Sequence, residues 1–288
     1  ATASLQVLAA ASKSVSLDGC PARFARAVMY GQGRCAVLML EGPGRQVRVD
    51  DLAALLFERC RADLQVRSSI AGDSTEPTRI FVGDNCRSLT TPMSDAVVSR
   101  AAAPMAIQIE RWLIEGLPPS GQLCVGLADA ARLGMNWIQV NASLTTTISV
   151  NEDGGWEVRV LSNVTEAIDA DARRWGASET GGALIGRISC ESRTITIAGL
   201  VDAPPDSVRG PTRFILGTDG LVQNLRRAHA DSLGHLMFLG TWHSHPRGGP
   251  HSGIDRVTLR TIAKDAGGLP AVSLVWTPTG LRCVVDRW

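Results

Sequence analysis

The sequence contains little lysine, a single tyrosine and almost no net charge. Its 288 residues include 29 Lys or Arg and 28 Asp or Glu, which gives a formal net charge of +1. Lysine occurs only at Lys13 and Lys264. A dedicated nucleic-acid-binding protein carries a basic excess or a basic stripe, so we expect no nucleic-acid partner.

Long apolar runs and paired cysteines are also missing. No run approaches the roughly 20 apolar residues that span a bilayer, so we expect no membrane association. The seven cysteines are scattered and never spaced as Cys-x-x-Cys, which excludes a zinc ribbon and argues against a disulfide framework. The first 14 residues have no cationic leader before their apolar stretch, so we expect no signal peptide and a cytoplasmic protein.

The composition allows a substantial core, since 44% of the residues are hydrophobic and 20% are charged. Apolar runs typical of strands alternate with helical patterns, which predicts a mixed α/β fold. Cys35–Glu41 reads as a buried strand, Asp50 as the cap of a helix over about 51–62, and Ser94 as the start of a helix to about Glu115. We predict two domains, residues 1–155 and 156–288.

The most informative segment contains His243 and His245. Residues two apart on a strand point the same way, so both rings can face one point. A loop of six residues, 246–251, leads from Pro246 to a helix whose first turn holds Asp255. Two imidazoles and one carboxylate, with a fourth position open for water, form the arrangement of a single catalytic zinc ion.

Two neighbouring features have simpler explanations when they are taken alone. Ser252-x-x-Asp255 is a capping box, which many helices have for structural reasons. Glu179 precedes Gly181-Gly182 at the entrance of a predicted strand, where a solvent-facing glutamate is the simplest explanation. Beside a zinc site, however, Glu179 would be a candidate general base for the attacking water.

Taken together, these residues resemble the JAB/MPN (JAMM) metalloprotease family over about residues 160–288. The resemblance implies a mixed β-sheet flanked by helices, zinc held by His243, His245 and Asp255, water activation by Glu179, and help from Ser252 in holding the oxyanion. The spacer between His245 and Ser252 has six residues instead of the usual seven. Gly248-Gly249 could absorb that difference.

Members of this family are zinc isopeptidases that act on ubiquitin or ubiquitin-like tails. The resemblance therefore implies cleavage after the C-terminal tail of a ubiquitin-like protein, by deconjugation or precursor processing, in a bacterial pathway that also supplies an activating or conjugating enzyme as a partner. Two alternatives stay open, the processing of a sulfur-carrier protein and a non-catalytic MPN scaffold. A nucleobase deaminase would need His-x-Glu and Pro-Cys-x-x-Cys, and neither motif occurs.

The first half loosely resembles the C-terminal part of a ThiF-like adenylating domain, the fold of ubiquitin-activating enzymes. The resemblance rests on Arg79–Cys86, Ser94-Asp95 and the alanine-rich helix that follows. Because no Gly-x-Gly-x-x-Gly follows a strand, we expect a partial, non-catalytic domain that binds or positions a partner. Cys86 could be an acceptor thiol, although a small buried residue is the favoured explanation.

Overall fold

The described residues form two large β-sheets, one in each half of the chain, and two short strand pairs. Cys86 and most of the segment Arg79–Cys86 lie outside the described residues. The computed structural model describes residues 23–72, 80–81, 89–90, 93–129, 134–143, 145–151 and 155–287.

The first half forms a four-stranded antiparallel sheet in the order β1-β2-β5-β6, with three helices. This all-antiparallel sheet lends no support to the resemblance to a ThiF-like domain. Its elements are β1 (Ala25–Tyr30), β2 (Cys35–Leu40), α1 (Val49–Ala62), α2 (Leu64–Ala71), the short pair β3 (Ile80–Phe81) and β4 (Leu89–Thr90), α3 (Asp95–Glu115), β5 (Gly121–Asp129) and β6 (Gly134–Ala142).

The predicted cap of α1 is wrong. The helix begins at Val49, two residues earlier than expected, with Arg48 as the N-cap residue. The backbone N–H of Arg48 donates to the Asp51 carboxylate at 2.9 Å, so Asp51 satisfies the helix start. Asp50 lies inside the first turn, and its Oδ1 is buried without a hydrogen-bond partner.

The second half forms a seven-stranded mixed sheet in the order β15-β14-β13-β9-β10-β8-β7. The pairs β13–β14 and β8–β10 are parallel, and the other pairs are antiparallel. The predicted mixed α/β class is therefore confirmed. The elements are β7 (Thr146–Val150), β8 (Trp156–Val160), α4 (Ser162–Trp175), β9 (Gly181–Ser189), β10 (Thr194–Asp202), β11 (Val208–Gly210), β12 (Arg213–Ile215), α5 (Leu221–Asp231), β13 (Met237–Ser244), α6 (Gly253–Asp265), β14 (Ala271–Thr277) and β15 (Gly280–Asp286).

One hydrophobic core runs through both halves. Helix α1 packs on β10, and Leu52 and Phe57 of this helix share a buried cluster with Ile195 and Ile197 of that strand. Strand β7 precedes the predicted boundary at 155/156 but pairs with β8 in the second sheet. The division into 1–155 and 156–288 stays a prediction, and it crosses a continuous apolar interior.

Within the described ranges, no helix combines the length and the apolarity that crossing a membrane requires. Strand β13 lies inside the second sheet, between β9 and β14. Its C-terminal end, Trp242-His243-Ser244, is therefore held by hydrogen-bonded neighbours on both sides.

Candidate metal centre

The two histidines at the end of β13 point their rings to the same side. His243 is level with Gly181 of β9 and Val275 of β14. The chain stays fixed beyond the strand, because the backbone N–H of His245 donates to the Trp276 carbonyl at 2.8 Å. The two Nε2 atoms lie 2.9 Å apart, so the predicted convergence of the rings occurs.

Asp255 reaches the histidines from the first turn of α6. Its Oδ1 lies 3.4 Å from Nε2 of His243, and its Oδ2 lies 3.9 Å from Nε2 of His245. The capping box fixes this carboxylate, because the N–H of Ser252 donates to Asp255 Oδ2 at 2.6 Å and the N–H of Asp255 donates to Ser252 Oγ at 3.2 Å. The structural and the functional interpretation of this motif therefore apply to the same residues.

These three side chains form a candidate metal site. Their potential ligand atoms all lie within 4.8 Å of one another, and each side chain is 12–15% exposed. Donors at about 2.0–2.1 Å from a tetrahedral ion lie roughly 3.3 Å from one another. The observed separations of 2.9, 3.4 and 3.9 Å bracket that value, so the donor set fits such an ion.

The carboxylate of Asp255 is strongly stabilised in its ionised form. Burial on its own would raise the pKa of Asp255. Hydrogen bonds from His243 and Ser252, together with the charge of His243, outweigh burial and hold that pKa well below its usual range. An ionised carboxylate is the form that binds a cation.

Glu179 faces the same cluster from the segment that precedes β9. Its backbone N–H donates to the Gly210 carbonyl at 2.8 Å. Burial raises the pKa of Glu179, while interactions with His245 and His243 oppose that rise. Glu179 is thus a half-buried carboxyl group that lies beside the three potential ligands and is not one of them.

Comparison with known families agrees with this geometry. Residues 161–286 match the model of the prokaryotic homologs of the JAB domain. This segment is a JAB domain. It contains β9, β13, α6 and β14, which carry or flank every candidate site residue.

Two relatives are similar to the chain over parts of this region. One is the "CD-NTase/cGAS isopeptidase" of Enterobacter hormaechei subsp. hoffmannii (strain UCI 50), which is 35% identical over 121 residues, 41% of this chain and 66% of the relative. The other is the "Probable metalloprotease y4qB" of Sinorhizobium fredii (strain NBRC 101917 / NGR234), which is 31% identical over 107 residues, 36% of this chain and 65% of the relative. The chain thus covers just under two thirds of the length of each relative.

Sequence reasoning missed the link between the two parts of the JAB site. The N–H of Thr180 donates to Oγ of Ser244 at 3.0 Å, and the N–H of Ser244 donates to the Thr180 carbonyl at 2.7 Å. Both residues are fully buried. This reciprocal pair ties the residue after Glu179 to the residue between the histidines, and the position of Ser244 within His-Ser-His was the signal available in the sequence.

Glycine at position 181 is what permits this close approach. A Cβ atom there would lie 2.3 Å from the Trp242 carbonyl oxygen and 2.6 Å from the Phe214 ring, both far inside van der Waals contact. Glycine lets another backbone come close because it has no Cβ, and the backbone that approaches here is that of β13. Any larger residue at 181 would push the strand with the histidines away.

His251 anchors the six-residue spacer, a role that sequence reasoning also missed. Its Nε2 lies 3.1 Å from the Ser273 carbonyl oxygen on β14, and burial lowers the pKa of His251. Within the spacer, Gly248 and Gly249 adopt φ of +78° and +116°, which side chains rarely tolerate. These glycines give the short loop its turn, and His251 fixes its end directly before Ser252.

Proposed function

We propose that this chain is a zinc-dependent isopeptidase that cleaves after the C-terminal tail of a ubiquitin-like protein. The observation that carries the proposal is the convergence of three potential ligand atoms within 4.8 Å. A second acidic group, Glu179, interacts with all three residues and is not one of the ligands. A structural zinc site is normally closed by four protein ligands. Three ligands beside a carboxyl group suit a catalytic site.

The ligand roles follow from the donor atoms. His243 and His245 would each offer Nε2, and Asp255 would offer a carboxylate oxygen that the capping box already orients. Imidazole nitrogen and carboxylate oxygen are ordinary zinc ligands. When bound, zinc supplies a Lewis acid that polarises the scissile carbonyl and makes water more acidic.

Glu179 would act as the general base and then as the general acid. It takes one proton from the attacking water as the C–O bond forms, and it delivers that proton to the nitrogen as the C–N bond breaks. One water molecule is consumed, and the products are a carboxylic acid and an amine, which ionise to a carboxylate and an ammonium group. The raised pKa of Glu179 that burial causes favours this two-way exchange, because the acid and base forms then lie closer in free energy.

Ser252 would assist the oxyanion. Its Oγ accepts the N–H of Asp255 at 3.2 Å. During the reaction the hydroxyl would turn from the Asp255 carboxylate, with which it also interacts, toward the developing oxyanion. A donor aimed at developing negative charge is a common source of rate acceleration. Ser252 would then have two functions, a cap for α6 and a donor to the transition state.

The substrate class is the finer part of the proposal. One relative is named as an isopeptidase of CD-NTase/cGAS, which supports a protein substrate joined through an isopeptide bond. We propose a conjugate or a C-terminally extended precursor of a ubiquitin-like protein in a bacterial pathway, with an activating or conjugating enzyme as a further partner. We assign residues 1–155 a non-catalytic role in positioning such a partner.

The experiment is a cleavage assay with the intact chain. Ubiquitin-like proteins and sulfur-carrier proteins, each extended at the C-terminus by a reporter peptide, are incubated with protein that has been stripped by a chelator and reloaded with zinc. We expect cleavage after the tail of a ubiquitin-like protein only in the zinc-loaded sample, with loss of zinc and activity in the His243→Ala, His245→Ala variant. His229→Gln, on α5, is the matched histidine control.

Three outcomes would contradict the proposal. Stoichiometric zinc in the double variant would refute the ligand assignment. Cleavage of sulfur-carrier precursors alone would move the substrate to cofactor biosynthesis. Zinc-loaded protein that cleaves no extended substrate would favour the non-catalytic scaffold.

A further inference from the structure

Helix α3 has an apolar face that nothing in the described residues covers. Its buried side consists of Ala101, Met105 and Trp112, which pack against the first sheet. We call the opposite side, the exposed residues from Ala96 to Ile114, the outer stripe. A helix on the surface of a protein normally places charged residues on that side.

The outer stripe is almost free of charge. Ile107, Leu113 and Ile114 are 57%, 77% and 76% exposed. Their combined exposed surface equals that of about two fully exposed side chains. Apolar surface that is grouped on one element in this way marks an interaction site. Its charged residues are Glu110 and Arg111, and Nε of Arg111 lies 3.9 Å from the carboxylate of Glu115 on the same helix. At about 1.5 Å per residue, the stripe is roughly 27 Å long.

The two ends of the stripe differ in size. The N-terminal end carries the small side chains Ala96, Ser99 and Ala103, all exposed, and the C-terminal end carries the bulky Leu113 and Ile114. A surface that is small at one end and bulky at the other is complementary to itself when a second copy lies antiparallel, because large side chains then face small ones. A two-fold interface has this self-matching property.

The charges fit the same arrangement. If two stripes cross antiparallel at the level of Met105, their midpoint, then Ile114 is level with Ala96 of the other copy and Arg100 is level with Glu110. Within the described part of the chain, neither Arg100 nor Glu110 forms an ion pair. Each copy would thus supply the charge that the other lacks.

We infer that the outer stripe of α3 is a homodimer interface, in which two copies pack antiparallel with Arg100 of each beside Glu110 of the other. An interface of one helix per copy is small compared with the roughly 1,600 Å² of a standard complex. The dimer should therefore form at micromolar concentration. The JAB site lies on other elements, so this surface adds a second interaction face that is independent of catalysis.

Sedimentation equilibrium of the intact chain tests the surface. We expect a dimer at tens of micromolar that becomes a monomer in Leu113→Glu, while Val222→Glu, a matched change at an exposed valine of α5, stays dimeric. Because both residues are exposed, both variants should keep the wild-type circular dichroism. A wild-type monomer at these concentrations, or a Leu113→Glu variant that dimerises normally, would overturn the inference.

A charge swap tests the antiparallel arrangement. Glu110→Arg should weaken dimerisation roughly tenfold, because it turns two attractions into two repulsions across the two-fold axis. The double variant Arg100→Glu, Glu110→Arg should recover wild-type dimerisation. If the double variant dimerises no better than Glu110→Arg, the antiparallel pairing is wrong.

Discussion

Arg159 of β8 and Asp51 of α1 form a fully buried ion pair that joins the two halves of the chain. Nε and Nη2 of Arg159 donate to the two carboxylate oxygens of Asp51 at 2.9 and 2.5 Å, and both side chains are at most 2% exposed. The same arginine donates to the Gln46 carbonyl and to Thr147. A bidentate pair of this kind fixes the orientation of α1 on the second sheet.

Asp51→Ala should destabilise the whole protein, since Arg159 would be left buried without its counter-charge. Removing one partner of a buried pair costs about 3–5 kcal/mol, and we expect that loss in urea denaturation followed by circular dichroism. Arg173→Ala, which breaks an exposed pair with Asp169, is the control and should be indistinguishable from wild type. Equal stability of the two variants would show that the halves are not coupled through Arg159.

Asp50→Asn should stabilise the protein at neutral pH and not at acid pH. Burial, followed by the nearby Asp51, raises the pKa of Asp50 to about 6 from an ordinary value of 3.8, although Arg159 and Arg48 oppose the rise. The folded state then holds the proton more tightly than the unfolded state, so this group lowers stability progressively as pH rises from about 4 to about 6. Well above pH 6 the variant should gain about 3 kcal/mol, and near pH 4 the gain should vanish. A constant difference between pH 4 and 7 would contradict this assignment.

Glu179→Gln should separate chemistry from metal binding. Glutamine keeps the size of the side chain and loses the ability to take a proton, so we expect a decrease in kcat of about 10²–10⁴ with zinc content unchanged by mass spectrometry. Glu166→Gln, an exposed glutamate on α4, should retain wild-type turnover. A Glu179→Gln variant that cleaves at the wild-type rate would reduce Glu179 to a surface residue.

Two substitutions at Ser252 should separate its cap from its hydroxyl. Ser252→Ala should lose about 1 kcal/mol of stability because alanine is a poor N-cap, whereas Ser252→Gly should lose only a few tenths. If the hydroxyl donates to the transition state, both variants should slow turnover to a similar extent. Melting temperature and kcat are measured on the same samples. Slowing that follows the loss of stability instead would assign Ser252 to capping alone.

The sequence was most informative where a local pattern decides the structure. The structure contains the His243/His245 spacing, the Ser252-x-x-Asp255 box and the helix Asp95–Glu115 that Ser94 caps as expected, because strand alternation, capping and helical periodicity act over a few residues. Asp50 shows the limit of this reasoning. From the sequence, either of two adjacent aspartates could accept a backbone N–H at the start of α1. Asp51 accepts it, because its carboxylate is held in place by the buried ion pair with Arg159.

By itself, therefore, the sequence determined which residue types could bind a metal and on which elements they lie. Only the tertiary structure decided that Ser244 and Thr180 bring Glu179 beside the histidines, that β7 joins the second sheet, and that α1 completes the core under β10. These relationships link residues far apart in the chain through hydrogen bonds and apolar contacts. No local pattern encodes such pairings, because their free energy arises only when distant segments exclude water together.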